Sequence, residues 1–560
     1  MNQETDNFSS AREQRLHLLA LFLFGVLLYA VTLGAGFTNW DDQFLVLQNN
    51  VIQSISWATV EAAFSHFFLN HYHPLVILSF AIEFAVGGLN PFFFHLTNIT
   101  LNGLNGVLVY LICMRLSGNA HVALVSSLLF VVHPVHAEAV AWVSARKDLL
   151  STFFYLLGIV FYLKRGTNRL KTLLLATTAF VFSLLSKASA VSFPAVLIVL
   201  DAFNEEKLLR RHFAEKVHLF ALSLIFSWIA VKAQYSTGFI PNASQTSIAH
   251  ALTIPFFDLL FYVLTFLAPF SLSPFYPFPG DIGADYSIFF WLSPALVAVT
   301  TILIWKFLRT NRLFILGVVV FLVAIAPTLQ LIPVGRTLAA DRFLYLPSFG
   351  LCFSIGVLIA SLMGHASIRT RMLTAGICFT GFALFALLTV RQSSYWQSSF
   401  TLWSRVIKQS PTLAEAYSKR GTGLIEIGDL ARAQEDFSRA IVLLPSEPEF
   451  YYNRALTNHQ LHRVDSAIAD MDRAIATSPA DGILFQTRGK FHFEKKQYRR
   501  AIADFNSALW LNPNLVEAHV NRATALVNCH LLDSARADVE WCNAKGIKFD
   551  VELLNRVIKD

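Results

Sequence analysis

Charged side chains are scarce in this 560-residue sequence: Asp, Glu, Lys and Arg make up only 14% of it, against about 25% in soluble globular chains. The shortage is uneven. Residues 1–400 hold 23 Lys/Arg and 17 Asp/Glu, whereas residues 401–560 hold 21 and 20. A charge-poor block built for lipid therefore precedes a block of ordinary soluble composition. Cysteine is thin as well, and five residues exclude a disulfide scaffold. With 26 glycines and 51 phenylalanines, the chain is neither collagen-like nor disordered. A basic stripe on a soluble face is also missing. The net charge of +7 falls almost wholly in the first block, beside apolar runs, where the positive-inside rule accounts for it; this excludes nucleic acid as a partner. Cys113, Cys352 and Cys378 lie in apolar runs and read as packed thiols. Cys529 and Cys542 are close enough in sequence for a disulfide in an oxidising compartment.

What is present is a series of apolar runs of spanning or near-spanning length. The first, Leu16 to Val31, follows Arg12 and Arg15 and lacks a small-residue cleavage site, so it reads as an uncleaved signal anchor. Others lie near 91–114, 120–135, 149–163, 172–186, 188–203, 217–233, 254–270, 288–306, 313–333, 343–363 and 372–390. Connections around Arg115, Lys164–Lys171, Lys207–Lys216, Lys306–Arg312 and Arg369–Arg371 are basic and read as cytoplasmic. The loops at 37–90, 133–148 and 334–342 carry acids, histidines and aromatics and face the other side. Pro255, Pro269, Pro274, Pro277 and Pro279 crowd the run at 254–270, which reads as re-entrant or interfacial. The expected organisation is a cytoplasmic N-terminus (1–15), a membrane domain of about eleven crossings (16–395) with a long first loop (37–90), a bridge (396–411), a repeat array (412–546) and a C-terminal cap (547–560).

The array is read from its period. Pro411, Pro445, Pro479 and Pro513 each follow the last by 34 residues, and Ala440, Ala474 and Ala508 precede the later three by five. Arg420–Gly421, Arg454–Ala455, Arg488–Gly489 and Arg522–Ala523 keep the same phase. Small residues at helix crossings and a helix-ending proline at this interval resemble the tetratricopeptide repeat, an α-solenoid. About four repeats fit, and the half repeat Trp403 to Ser410 leads into them. Such solenoids usually bind a peptide or partner on the concave face. The arginine series either packs the helices or meets a ligand, and the period does not choose.

Polar residues of the charge-poor block gather on one predicted side. Thr38-Asn39-Trp40-Asp41-Asp42-Gln43 puts two carboxylates at the mouth of the first apolar helix, a costly place unless they are solvated or used. One can act as a base while the other orients it, and a solvated turn is the plain alternative. His133-Pro134-Val135-His136-Ala137-Glu138 is followed by Ser144-Ala145-Arg146-Lys147-Asp148. His133, His136 and Glu138 lack the spacing of a helical zinc site. Arg146 and Lys147 could hold a lipid-linked phosphate, or merely snorkel to the interface. Arg336 and Asp341-Arg342 form a third element, and His71-Tyr72-His73-Pro74 faces the same side. Two carboxylates could also bind a divalent cation such as Mg or Mn, and metal dependence stays open.

The run from His133 to Asp148, the stretch Asp341-Arg-Phe-Leu-Tyr-Leu-Pro-Ser348, the Asn39-Trp40-Asp41-Asp42 start, Ser186-Lys187-Ala188 and the repeats together resemble the transmembrane and tetratricopeptide-repeat O-mannosyltransferases. Those enzymes belong to the C-type glycosyltransferase superfamily. The resemblance covers essentially the whole chain. It implies an all-α, multi-span membrane domain of that type followed by a repeat solenoid, in the bacterial inner membrane or the endoplasmic reticulum. It further implies a polyprenyl- or dolichyl-phosphate sugar donor, and transfer of mannose or a similar hexose to Ser or Thr of a protein held by the repeats. The active site would be lumenal or periplasmic, with Asp41, Asp42 or both catalytic. Arg146, Lys147 and Arg342 would steady the departing phosphate, supported by His73, His133, His136 and Glu138. One departure is His73-Pro74-Leu75, where the resemblance leads one to expect Arg-Pro-Leu; histidine is a weaker, pH-dependent phosphate ligand. The rival readings are a membrane-anchored repeat scaffold without catalysis and a lipid or sugar transporter. The few charges in or near spans, Glu83, Lys187, Lys232 and Asp258, speak against transport.

Overall fold

The computed structural model describes residues 2–164, 168–204, 210–235, 248–278, 286–330, 337–364 and 367–547. Arg336 and all but the first residue of the expected cap lie outside the described residues. The chain divides into two compact units, Met1–Gln409 and Ser410–Asp560.

The first unit is helical: α1 Asn2–Leu28, α2 Trp57–Ser65, α3 Pro74–Gly87, α4 Pro91–Ser117, α5 Ala120–Val132, α6 Ala137–Ala141, α7 Arg146–Leu163, α8 Arg169–Ser186, α9 Phe193–Asn204, α10 Arg210–Ala214, α11 Val217–Tyr235, α12 Ile248–Leu267, α13 Ile288–Leu308, α14 Arg312–Ile325, α15 Ser348–Gly364, α16 Ile368–Ser394 and α17 Ser399–Gln409. Among the described residues seven helices are long and apolar enough to cross a membrane, or eight if the bent pair Ala120–Val132 and Pro134–Ala141 is one span. Shorter apolar helices, α14 and α15 among them, pack between these. Gly317 and Gly350 let α14 and α15 approach so closely that a Cβ on either would stand 2.5 Å from the other's carbonyl oxygen.

The run at 254–270 differs from a simple re-entrant loop. It lies in one continuous helix, α12, with Pro255 inside it, long and apolar enough to span. The His250 ring near its start packs tilted against Tyr286, just before α13, and Trp291, in its first turn (4.7 and 5.0 Å), and the Phe266 carbonyl near its end accepts from His133 at 2.9 Å. Both halves of α12 reach the strand that leads to Asp341: Ile254 packs with Leu338, and the Tyr262 hydroxyl accepts from the Ala340 N–H at 3.3 Å. That strand, β2 (Thr337–Ala339), pairs antiparallel with β1 (Tyr276–Pro277), Tyr276 opposite Ala339.

Residues after α16, expected as a bridge, are core of the first unit. Trp396 and Trp403 are buried there. Among its described residues the second unit holds four helix pairs: α18 Ala414–Glu426 with α19 Leu430–Leu443, α20 Pro448–Gln460 with α21 Val464–Thr477, α22 Gly482–Glu494 with α23 Tyr498–Leu511, and α24 Val516–Asn528 with α25 Leu532–Ala544. The period has a direct cause. Gly421 and Gly489 lie under the rings of Phe437 and Phe505, where a Cβ would stand 2.9 and 2.7 Å from ring carbons. Each arginine of the series forks onto the aspartate sixteen residues on: Arg420–Asp436, Arg454–Asp470, Arg488–Asp504 and Arg522–Asp538, at 2.6–3.0 Å. From the second pair on, the remaining arm reaches sixteen residues back, to Ser438, Asp472 and Asn506. The arginines therefore tie the two helices of a pair together and join neighbouring pairs. All five cysteines are free thiols, Cys529 and Cys542 included.

Candidate functional site

The two adjacent aspartates have opposite surroundings. Asp42 is buried, and all its acceptor sites are used. Its Oδ2 accepts from the Thr38 N–H and hydroxyl, both at 2.9 Å, and its Oδ1 from the Ser144 N–H at 2.9 Å and hydroxyl at 2.5 Å. Burial pushes its carboxyl up to about 6, against the pull of those four bonds. Asp42 thus ties the loop after α1 to the turn before α7. Asp41 remains partly open, its side chain 23% exposed, and its Oδ2 accepts from the Lys147 ammonium at 3.4 Å.

The basic pair divides in the same way, because successive residues at the start of α7 point to different faces. Arg146 is fully buried. Its guanidinium donates to Asn98, to Glu83 at 2.6 Å, to Ser79 at 3.2 Å and to the Phe94 carbonyl at 2.7 Å. The expectation that it holds phosphate is corrected: its donors are committed to α3 and α4. Lys147 faces a cavity of about 420 Å³, whose polar lining includes Asn70, His71, His73, Lys147, Lys187 and Gln234. Tyr72, Ala188, Val231, Ala326 and Pro327 supply apolar wall.

Arg342 lies nearby, bonded through its side chain and its N–H to the Glu138 carboxylate, with its guanidinium over the rings of Trp142 and Phe343. It lines a smaller recess together with Asp148 and Lys187. Lys187 donates to Asp148 at 2.5 Å and borders both spaces. Asp341 is buried and accepts from the Tyr276 hydroxyl at 2.9 Å; burial, then the neighbouring Glu138 charge, raise its carboxyl well above the usual range.

The histidines separate too. His133 bonds the Phe266 carbonyl and the Val135 N–H and stacks on Phe266 at 4.3 Å. His136 bonds Ser348 at 2.8 Å and packs between Phe130 and Tyr345. Both are buried structural groups away from the cavity, so their expected support of the site is only indirect. His73 does face the cavity, buried, with neither ring nitrogen bonded. Burial and the Lys147 charge lower it to about 3, so it is a neutral ring at physiological pH rather than the pH-dependent cation expected.

Lys187 is the cavity residue that sequence reasoning passed over as a span-end charge. Its signal was its side: it is a lysine at the end of the bundle away from the basic connections. The contact between Asn39 and Trp403 was missed because it spans 364 residues.

Among the described residues, no three of His, Cys, Asp and Glu converge as a metal-binding group. The donor set also fits a cation poorly. Asp42 has no acceptor site left, and Asp41 already has an ammonium partner.

The fold defines the class: an all-α protein in which a multi-pass membrane domain precedes a solenoid of helix pairs. Residues 418–482 match the tetratricopeptide repeat family. Over a longer stretch, the chain is similar to proteins named protein O-mannosyl-transferase. One from Caenorhabditis elegans is 24% identical over 453 residues, which is 77% of this chain and 63% of that protein. One from Xenopus laevis is 30% identical over 318 residues, 52% of this chain and 37% of that protein. The chain thus spans less than two thirds of the length of these curated relatives. Among solved structures, the MamA protein aligns with a TM-score of 0.25 at 22% identity, over 27% of this chain and 86% of that one.

Proposed function

We propose that this chain is an integral-membrane glycosyltransferase that moves mannose or a similar hexose from a polyprenyl- or dolichyl-phosphate donor to Ser or Thr of a protein. The observation that carries this reading is Lys147, which pairs with Asp41 on one side and lines an apolar-walled cavity with Lys187 on the other. A lipid-linked sugar phosphate needs such a cavity: greasy wall for the tail and ammonium groups for the phosphate.

In this reading Asp41 takes the proton of the acceptor hydroxyl as it attacks the anomeric carbon. The bond from that carbon to the phosphate oxygen breaks, and the lipid phosphate leaves with the electron pair. Lys147 and Lys187, with Arg342 in the adjoining recess, stabilise the charge that develops. Asp42 holds the loop without touching substrate. The repeats hold the acceptor protein. Residues 1–15 face the cytoplasm, and the site and the repeats face the lumen or periplasm.

The test is sugar transfer by purified protein from a panel of polyprenyl-phosphate sugars to Ser/Thr peptides. Transfer from at least one donor, with Lys147→Met raising the donor KM at least about tenfold, supports the reading. Donor binding without any transfer would favour a scaffold or transporter.

A further inference from the structure

The segment after α16 is bonded to the Asp41 loop at several points. The Gly36 N–H donates to the Gln397 carbonyl at 3.0 Å, and the Asn39 N–H donates to the Ser399 hydroxyl at 3.0 Å. The Trp403 indole N–H donates to the Asn39 side-chain carbonyl at 2.7 Å. Trp40, between Asn39 and Asp41, stacks on Trp403 at 5.1 Å and on Trp396 at 6.3 Å. The far end of α17 is bonded to the segment after α12, since Arg405 and Gln409 donate to the Leu272 carbonyl at 3.1 and 3.0 Å, close before Tyr276, which bonds Asp341.

Asn39 and Trp403 are buried and do not line the cavity, so neither can touch a donor there. Residues 35–38 have no regular structure of their own. Asp41 itself opens the helical turns of residues 41–47, so how that turn is seated is set by Asp42 on one side and, through the irregular stretch before it, by α17 on the other. A shift of about 1 Å in a reacting group can cost about 100-fold in rate.

We propose that Asn39 and Trp403 are positioning residues: their bond fixes Asp41 against Lys147, so that the helix immediately preceding the repeats in the chain sets the turnover rate. This rests on the transferase reading above. Trp403→Phe keeps a stacked ring and removes the N–H, while Asn39→Ala removes its acceptor. If the two act through one bond, their effects do not add.

The experiment compares the full-length wild type, both single variants and the double variant. It reads kcat and donor KM, the thermal midpoint, and amide exchange over residues 36–43. The expected result is a fall in kcat of about tenfold in each single variant and no further fall in the double. Donor KM stays within about twofold, and exchange quickens at 36–43 but not along α7. Unchanged exchange at 36–43 in Trp403→Phe overturns the proposal. So does a drop in kcat that is additive in the double variant and follows the thermal midpoint. Failure of the underlying reading shows separately, as a wild type that transfers no sugar; exchange then still decides whether the indole holds the loop.

Discussion

Ser144 donates twice to one oxygen of Asp42, through its N–H at 2.9 Å and its hydroxyl at 2.5 Å. Thr38 does the same at the other oxygen. A carboxylate bound by four donors is a clamp, and an amide replaces it poorly: a hydroxyl can turn to accept from an Asn NH2, but the backbone N–H beside it cannot. Asp42→Asn should therefore lower stability by about 2–4 kcal/mol, as each misplaced buried donor costs about 1–3. Asp41→Asn should leave it within about 0.5 kcal/mol. Thermal unfolding of the two variants side by side checks this.

The clamp also sets a pH dependence. Burial raises the Asp42 pKa from 3.8 to about 6, so between those values the folded chain binds more protons than the unfolded one. Stability from this group is then full below about pH 4 and lost as pH rises through about 6, a change on the order of 3 kcal/mol. The protonated acid keeps its partners, because the Ser144 or Thr38 hydroxyl can turn to accept. Unfolding followed between pH 4 and 7 should show this slope in the wild type and a flatter one in Asp42→Asn.

Arg146 and Glu83 form a buried pair at 2.6 Å. Removing one partner leaves a buried charge alone, so Arg146→Met should cost about 3–5 kcal/mol. Glu83→Met together with Arg146→Met should recover much of that loss. If Arg146 instead bound substrate phosphate, the single variant would fold normally and lose donor affinity. Thermal midpoints and donor KM, measured on the same preparations, separate these outcomes.

In the repeats, Arg488 bonds Asp504 with two nitrogens and Asp472 with the third. Arg488→Lys should fail to restore the fork, because an ammonium cannot match the planar bidentate geometry. Both Arg488→Lys and Arg488→Ala should destabilise the solenoid, by about 1–3 kcal/mol for the alanine. Amide exchange along α21 to α23 reports it locally.

The solenoid was legible down to its helix pairs, because a 34-residue interval of proline, alanine and arginine constrains every turn of the repeat. The role of the arginines was not read, although Asp436, Asp470, Asp504 and Asp538 recur at the same 34-residue interval: each partner lies sixteen residues away on another helix, and only the fold shows the two side chains meeting. The apolar runs located the helices of the first unit, while α12 shows where composition stops. Its length and hydropathy suit a span, and they say nothing of its contacts with Tyr286, Leu338 and His133. In the site, the motifs collected the right neighbourhood and blurred the roles within it. Asp41 and Asp42, or Arg146 and Lys147, are adjacent in sequence, and only the fold shows which member of each pair is spent on structure.

Sugar transfer by Asp41→Asn is the most direct measurement of the central claim. Wild type and variant, purified at equal yield and equal thermal midpoint, are compared with the same polyprenyl-phosphate sugar and the same Ser/Thr peptide. A fall in kcat of at least about 100-fold is expected for loss of a general base, with donor KM little changed. A variant that transfers sugar at the wild-type rate would contradict the account, since Asp41 would then be no more than a partner for Lys147.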